Sequence, residues 1–249
     1  MTDSANSDTD QADSLDADLD AINGRELPSA QIPLSRERIV QTAISYISDH
    51  GLASLSMRRL ATTLGVEAMS LYRYVVSRDD LLDAIVEDLV EEMDSYPDVI
   101  TAPDHGWQDF LQRLAHGVRK VALAHPAAFP LIASRPAEAP WLRPPLRSLR
   151  WVEFFLNGLE QEGFSNQAAA AAYRAFTSFL LGHLLLEVAS HGADLGPLDV
   201  IDDDHNDSLD AYPTVERLSP LLREDHSAAE FEESLENLLD RIALIKSEN

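Results

Sequence analysis

The sequence predicts an all-α fold, and three observations predict it. Apolar residues recur with the 3.6-residue helical period in nearly every segment after residue 35. No stretch alternates apolar and polar residues as a half-buried strand does. Helix start and stop signals bound the periodic runs: Ser35, Ser56, Ser77 and Ser227 as caps, and Gly51, Gly65, Gly163 and Gly192 as ends. With 249 residues, 45% of them hydrophobic, the chain can hold one large or two small packed domains.

The elements follow in order. Residues 1–33 are rich in Asp and Ser and read as a disordered acidic tail. Ser35 caps a first helix with Val40, Ala43, Ile44 and Ile47 on one face, ended by Gly51. Ser56 caps a short second helix, with Leu60, Ala61 and Leu64 inward, that stops at Gly65. A third short helix is expected over about 67–74. Ser77 with Asp80 resembles a capping box and opens a long helix whose stripe is Leu82, Ile85, Val86, Leu89, Val90 and Met93. After a linker with Pro97 and Pro103, Trp107, Phe110, Leu111, Leu114, Val118 and Ala122 form the next stripe, stopped by Pro126. A proline-broken stretch runs to Pro145. Leu149, Val152, Leu156 and Leu159 mark another helix, and Ala172, Phe176, Phe179, Leu180, His183 and Leu184 the one after. An acidic loop at 202–204 precedes a last helix with Phe231, Leu235, Leu238, Leu239 and Ile242, opened by a Ser227/Glu230 capping box. The expected domains are 1–33, 34–80 and 81–249.

Composition limits the function classes. No cysteine is present, so disulfides and thiolate metal sites are excluded. The first 20 residues have neither a basic n-region nor an apolar h-region, and the apolar run 179–189 is shorter than the ~20 residues of a membrane span, so a soluble cytoplasmic protein is expected. The net charge of −24 argues at first against a polyanion partner. Its distribution reverses that argument. Residues 1–34 carry −7 and residues 81–249 carry −18, whereas residues 35–80 carry six arginines against five carboxylates.

That one non-acidic segment contains two short helices joined by a glycine turn and preceded by a packing helix, the spacing of a helix-turn-helix. Such a unit places a slim helix in the major groove, with flanking donors on phosphates. Ala68 and Met69 suit thymine methyls, and Ser70 suits a base edge. Tyr72, Tyr74 and Arg78 suit phosphates, and Arg58 on the second helix suits a guanine. Partial packing against the first helix is the alternative for Tyr72, and a solvated surface charge is the expectation for Arg59.

These residues carry a resemblance. Gly51, Arg58, Leu64-Gly65-Val66, Ser70-Leu71-Tyr72-Arg73-Tyr74-Val75 and Leu81-Leu82 are similar to the N-terminal pattern of the TetR (tetracycline-repressor) family of transcriptional regulators. Trp107-Gln108, Phe110-Leu111, Ser134-Arg135-Pro136, Gly163-Phe164, Phe179 and Leu181-Gly182 resemble its tetracycline-repressor-like C-terminal domain. The resemblance implies an N-terminal three-helix DNA-binding domain and a C-terminal helical ligand-binding and dimerisation domain. It implies a non-enzymatic repressor that binds a palindromic operator of double-stranded DNA as a homodimer and is released by a small effector.

The resemblance also implies what this chain lacks. The position of the family's metal-binding histidine falls on Leu131, and those of its drug-contacting amides on Leu114 and Phe155. Other pocket histidine positions fall on Asp94 and Ser178. No metal, no cofactor and no magnesium-tetracycline binding are therefore expected. The remaining pocket is mostly apolar: Trp107, Leu111, Leu114, Val118, Leu131, Trp151, Phe155, Phe176 and Leu180, with Ser134, Ser178 and His183 as polar anchors. Each of these has plain core packing as its alternative, and Trp151 and Phe154 have the dimer seam. In the family, the helix at 168–187 and the last helix at 231–245 build a four-helix dimer interface. The helix over 77–93 joins reader to body and is the natural lever.

Rival readings are an enzyme, an effector-independent activator or architectural protein, and an interaction module built on the acidic tail. A metal cluster of Asp202, Asp203, Asp204 and His205 would support an enzyme, but its residues are consecutive rather than on one face.

Overall fold

The computed structural model describes residues 33–94, 103, 105–135, 142, 148–193 and 212–248. Those from Arg36 onward belong to one compact unit. The acidic tail, the proline-broken stretch around Pro145 and the 202–205 segment lie outside the described residues. Every regular element described is helical.

Helix α1 (Arg36–His50) buries Ile39, Val40, Ala43, Ile44 and Ile47, and Gly51 follows it at φ 75°. A 3-10 turn (Leu52–Ser54) leads to α2 (Met57–Leu64). The Ser56 hydroxyl accepts from the Arg59 amide, and Gly65 closes α2 in the left-handed region at φ 69°, which glycine enters without steric cost. Helix α3 (Ala68–Leu71) is one turn long, shorter than the 67–74 expected. Tyr74 and Val75 amides both return to the Leu71 carbonyl, so Tyr72 and Tyr74 lie on a closing turn rather than on the helix. Helix α4 (Arg78–Asp94) begins as expected, with Ser77 Oγ accepting from the Asp80 amide at 3.0 Å. The returning carboxylate reaches the Val76 amide at 2.8 Å, one residue earlier than in a standard capping box.

The body comprises α5 (Trp107–Ala124), α6 (Leu131–Ser134), α7 (Leu149–Gln161), α8 (Asn166–Ser190), α9 (Pro213–Leu222) and α10 (Ser227–Glu248). Neither α6 nor α9 was expected from periodicity: α6 is a single turn, and α9 buries nothing within this chain. The last helix is opened by the Asp225 carboxylate, which accepts from the Ser227 amide at 3.0 Å, and not by the Ser227/Glu230 pair. Hydrogen bonding from the Ser227 hydroxyl and then from its amide holds the Asp225 carboxyl below its ordinary pKa.

Helix α8 is the centre of the body, packed by α5, α7 and α10. Its 25 residues are long and apolar enough to cross a membrane, so the apolar stretch is longer than the 179–189 run suggested. Its neighbours and its one buried charge mark it as a core helix. Glu187, 6% exposed, is held by Arg119 of α5 at 2.6 and 3.1 Å, and the same guanidinium lies 5.1 Å from the Phe231 ring of α10. A charge so placed needs this pairing to be tolerated. Lys246 Nζ of α10 donates to the Glu162 carbonyl at the end of α7 at 2.6 Å, a cation on a helix C-terminus. Helices α5 and α7 touch at Gly158, where an added Cβ would stand 2.6 Å from Phe110 Cζ.

Candidate nucleic-acid interface and ligand pocket

The α2–α3 unit turns one side inward and one outward. Leu60, Leu71 and Val75 are fully buried, and α2 packs on α1. On the outer side Met69 is 73% exposed, and Tyr72 and Tyr74 are about 40% exposed. Ala68 and Ser70 are half-buried, and Arg58 is exposed. The structure thus presents, on one short segment, residues of the types that reach base edges and phosphates.

The arginines here divide into two groups. Arg36 forks onto Asp80 at 2.9 and 3.1 Å and also donates to the Tyr74 carbonyl at 2.9 Å. It therefore ties the start of α1 to the turn after α3 and to the start of α4. The pairing raises the Arg36 pKa and lowers that of Asp80, with the mutual hydrogen bond the main cause on both sides. Arg59 is exposed, as expected of a surface charge, and also donates to the Ser54 carbonyl at 2.9 Å, so it braces the turn before α2. Arg78 is exposed, yet its Nε donates to the Leu55 carbonyl at 3.3 Å; it braces the entry to α2 and keeps four N–H donors. Arg58 and Arg73 are exposed and make no side-chain hydrogen bond or ion pair among the described residues. Arg73 is absent from the residues expected for DNA contact. Its place between two outward tyrosines was the signal available.

Helix α4 connects this face to the body at three points. Gln41 of α1 donates to both Asp88 oxygens at 2.9 and 2.8 Å. Glu92, one turn on, meets His125 Nε2 at the end of α5 at 2.8 Å. Arg135, just after α6, reaches Asp83 at 2.8 Å and Asp79 at 2.9 Å. Burial alone would lower the Arg135 pKa, but the two carboxylates outweigh it and raise it. Burial pushes the Asp88 carboxyl up, against the pull of Gln41.

The opposite face of α4 helps wall a partly open apolar cavity of about 50 Å³, lined among the described residues by Val86, Val90 and Met93 with Val118, Ile132, Ser148, Trp151, Thr177, Leu180 and Leu181. Of the residues expected to line a pocket, Val118, Trp151 and Leu180 do so. Trp107, Leu111, Leu114, Leu131, Phe155 and Phe176 are buried but do not line this cavity; they are core. Phe155 is the hub of that core, with Trp151, Tyr173 and Phe176 rings at 5.6, 5.8 and 5.3 Å. Ser134 and Ser178 are exposed and outside the cavity. His183 also faces elsewhere: it packs on Phe179 and Phe231 and lines a separate polar crevice of about 490 Å³ between the end of α8, α9 and the start of α10. Among the described residues no group of His, Asp and Glu is placed to hold a metal. The residues that sequence reasoning missed are Thr177 and the α4 wall.

Residues 39–85 match the family described as bacterial regulatory proteins, tetR family, and residues 101–244 match the tetracyclin repressor-like C-terminal domain. The chain belongs to the tetR family. It is therefore a DNA-binding transcriptional regulator, in a family of regulators rather than enzymes. An HTH-type transcriptional regulator of Saccharopolyspora erythraea is 31% identical over 62% of this chain and 61% of its own length. The class D tetracycline repressor protein of Escherichia coli is 29% identical over 77% of this chain and 78% of its own. A crystal structure of a possible TetR family regulator from Streptomyces coelicolor A3(2) superimposes with a TM-score of 0.67 at 32% identity, covering 85% of this chain and all of that one. In this tetR-family chain the last three helices leave several large apolar side chains open: Leu186 of α8 is 71% exposed, Leu244 of α10 53%, and Leu221 and Leu222 of α9 more than 60%.

Proposed function

We propose that this protein is a cytoplasmic homodimeric repressor that binds a palindromic operator and is released by a small, mostly apolar effector. The carrying observation is the double duty of α4, whose start holds the reader turn through Arg36–Asp80 while its middle walls the apolar cavity. A ligand that widens the cavity works directly on the helix that aims the reader. Operator affinity then falls by the ligand's differential affinity for the two arrangements, ~1–3 kcal/mol in typical cases.

DNA contacts fall to Ala68, Met69, Ser70, Tyr72 and Tyr74, with Arg58, Arg73 and Arg78 on phosphates or guanine. Dimerisation is supported by the open apolar surface of α8, α9 and α10, which is unfavourable in water without a cover. It is also supported by the need for two readers about 34 Å apart on successive grooves. Magnesium-tetracycline is not the effector: Leu131, Leu114 and Phe155 are buried hydrocarbon where the family's metal and drug contacts are expected.

Selection against random DNA duplexes tests the reading. An inverted repeat recovered by the purified protein supports it, and recovery of unrelated sequences overturns it. An effector-independent regulator is the second reading. Operator affinity unmoved by any ligand that binds the cavity would favour it.

A further inference from the structure

The cavity beside α4 contains one polar atom out of keeping with its walls. Thr177 is 2% exposed, lines the cavity, and its Oγ1 makes no hydrogen bond. Helix threonines usually solve this problem locally. In this chain Thr42, Thr62 and Thr63 all donate to the carbonyl four residues earlier. Thr177 does not. The Tyr173 hydroxyl, one turn before it, interacts with the Thr177 side chain, but the contact lacks the geometry of a hydrogen bond and leaves Thr177 Oγ1 unsatisfied. A buried hydroxyl left unpaired is destabilising, and such groups are rare in folded proteins unless a ligand or water completes them.

The rest of the lining narrows what completes it. Among the described residues no charged side chain borders the cavity, so at these walls a carboxylate, phosphate or ammonium would have no counter-charge. The other hydroxyl, on Ser148, already accepts from the Trp151 amide as the cap of α7. The Trp151 indole is half-buried and lies in the wall. The free volume of about 50 Å³ is room for a few waters, each needing ~10–15 Å³. It is far below the ~300–1,000 Å³ of a drug-sized site. A larger guest must therefore displace a wall, and one wall is Val86, Val90 and Met93 of α4.

Resting on the repressor reading above, we infer that the effector is an uncharged, largely hydrocarbon molecule bearing a carbonyl or similar oxygen, which accepts a hydrogen bond from Thr177 Oγ1 while its flat body lies against Trp151. Its size forces α4 outward, and its oxygen sets its orientation. Hydrocarbon guests of the same shape bind more weakly because they leave the hydroxyl unpaired.

The test uses the full-length protein, 1-indanone and indane, with calorimetry on wild type and Thr177→Val. Wild type should bind the ketone about tenfold or more tightly than the hydrocarbon, the scale set by one buried hydrogen bond. Thr177→Val should lose that preference, bind indane at least as well as wild type does, and melt at the same temperature or higher. Three results overturn the inference: an unchanged preference in the variant, a melting temperature lowered by several degrees, or no binding of either guest by wild type up to its solubility limit. Wild-type binding to selected duplexes is measured in parallel. Ketone preference with no operator recognition sinks the repressor reading and leaves the pocket chemistry standing; the reverse result does the opposite.

Discussion

The reader and the body of this protein solve opposite problems. In the reader, polar side chains fix backbone: Arg36, Arg59 and Arg78 all donate to carbonyls, and Asp80 accepts from the Val76 amide. The residues left outside, Met69, Tyr72 and Tyr74, are therefore held by the turn beneath them and not by their own contacts. In the body, apolar packing does the fixing, and the feature proposed to bind the effector is a gap in it. A rigid exposed surface suits recognition of a rigid duplex. A small apolar gap with one unpaired hydroxyl suits a guest that alters the packing. Damage to the two regions should accordingly separate, with the body failing in stability and the reader failing in affinity.

The largest effect is expected at the hub of the body. Phe155→Ala removes a fully buried ring with three aromatic neighbours and should cost about 3–5 kcal/mol of unfolding free energy, read by urea denaturation. A loss below about 1 kcal/mol would mean that the body is not one packed core. Gly158→Ala should also act on stability, by about 1–3 kcal/mol, because its Cβ meets the Phe110 ring. Thermal melting of that variant checks it, and an unchanged transition would place α5 and α7 farther apart than described.

In the reader, Tyr72→Ala should lower operator affinity about tenfold or more while leaving the melting curve nearly unchanged, measured by fluorescence anisotropy on the selected duplex. Wild-type affinity in that variant would assign the outer turn to something other than DNA. Arg73→Gln should weaken binding evenly across sequences and reduce the salt slope by about 1, the signature of one lost phosphate contact. A changed sequence preference would instead place Arg73 on a base.

The smallest effects concern two carboxylates on α4. Asp80 titrates below its ordinary value, so its stabilising contribution is full above the unfolded pKa and is lost as pH falls through the folded one. Asp88 titrates above its ordinary value, so its contribution is full below the unfolded pKa and is lost as pH rises through the folded one. Asp80→Asn should lower stability slightly at pH 7, whereas Asp88→Asn should leave it unchanged or raise it, each by less than about 1 kcal/mol. Melting curves at pH 4 and pH 7 distinguish them, and shifts of the same sign would refute the opposed environments.

Much of the reader was legible because its signals are local. Ser56, Gly65 and Ser77 act within one turn of themselves, and the inward set Leu60, Ala61 and Leu64 follows from periodicity. The bracing contact of the exposed Arg59 was not legible, because its partner carbonyl belongs to a 3-10 turn that periodicity does not reveal. The pocket was much less legible. An apolar stripe says that a helix face is buried, but a wall and a core position have the same composition. Thus Leu111, Leu114 and Phe155 lie in the core, Val118 and Leu180 line the cavity, and His183 lines a different crevice. Helix α9 was missed because none of its residues is buried among the described residues, so it has no buried stripe to display.

Residue order alone determined where most helices begin and end, which of their faces turn inward, and that a short arginine-bearing unit is spared the acidity of the rest. Those properties depend on contacts spanning a few residues, and side-chain chemistry at that range needs no knowledge of the whole. Tertiary structure alone decided that Arg36 locks onto Asp80, 44 positions away, and that α4 is at once a support for the reader and a wall of the cavity. A cavity is a failure of several distant surfaces to close, and no single segment encodes it.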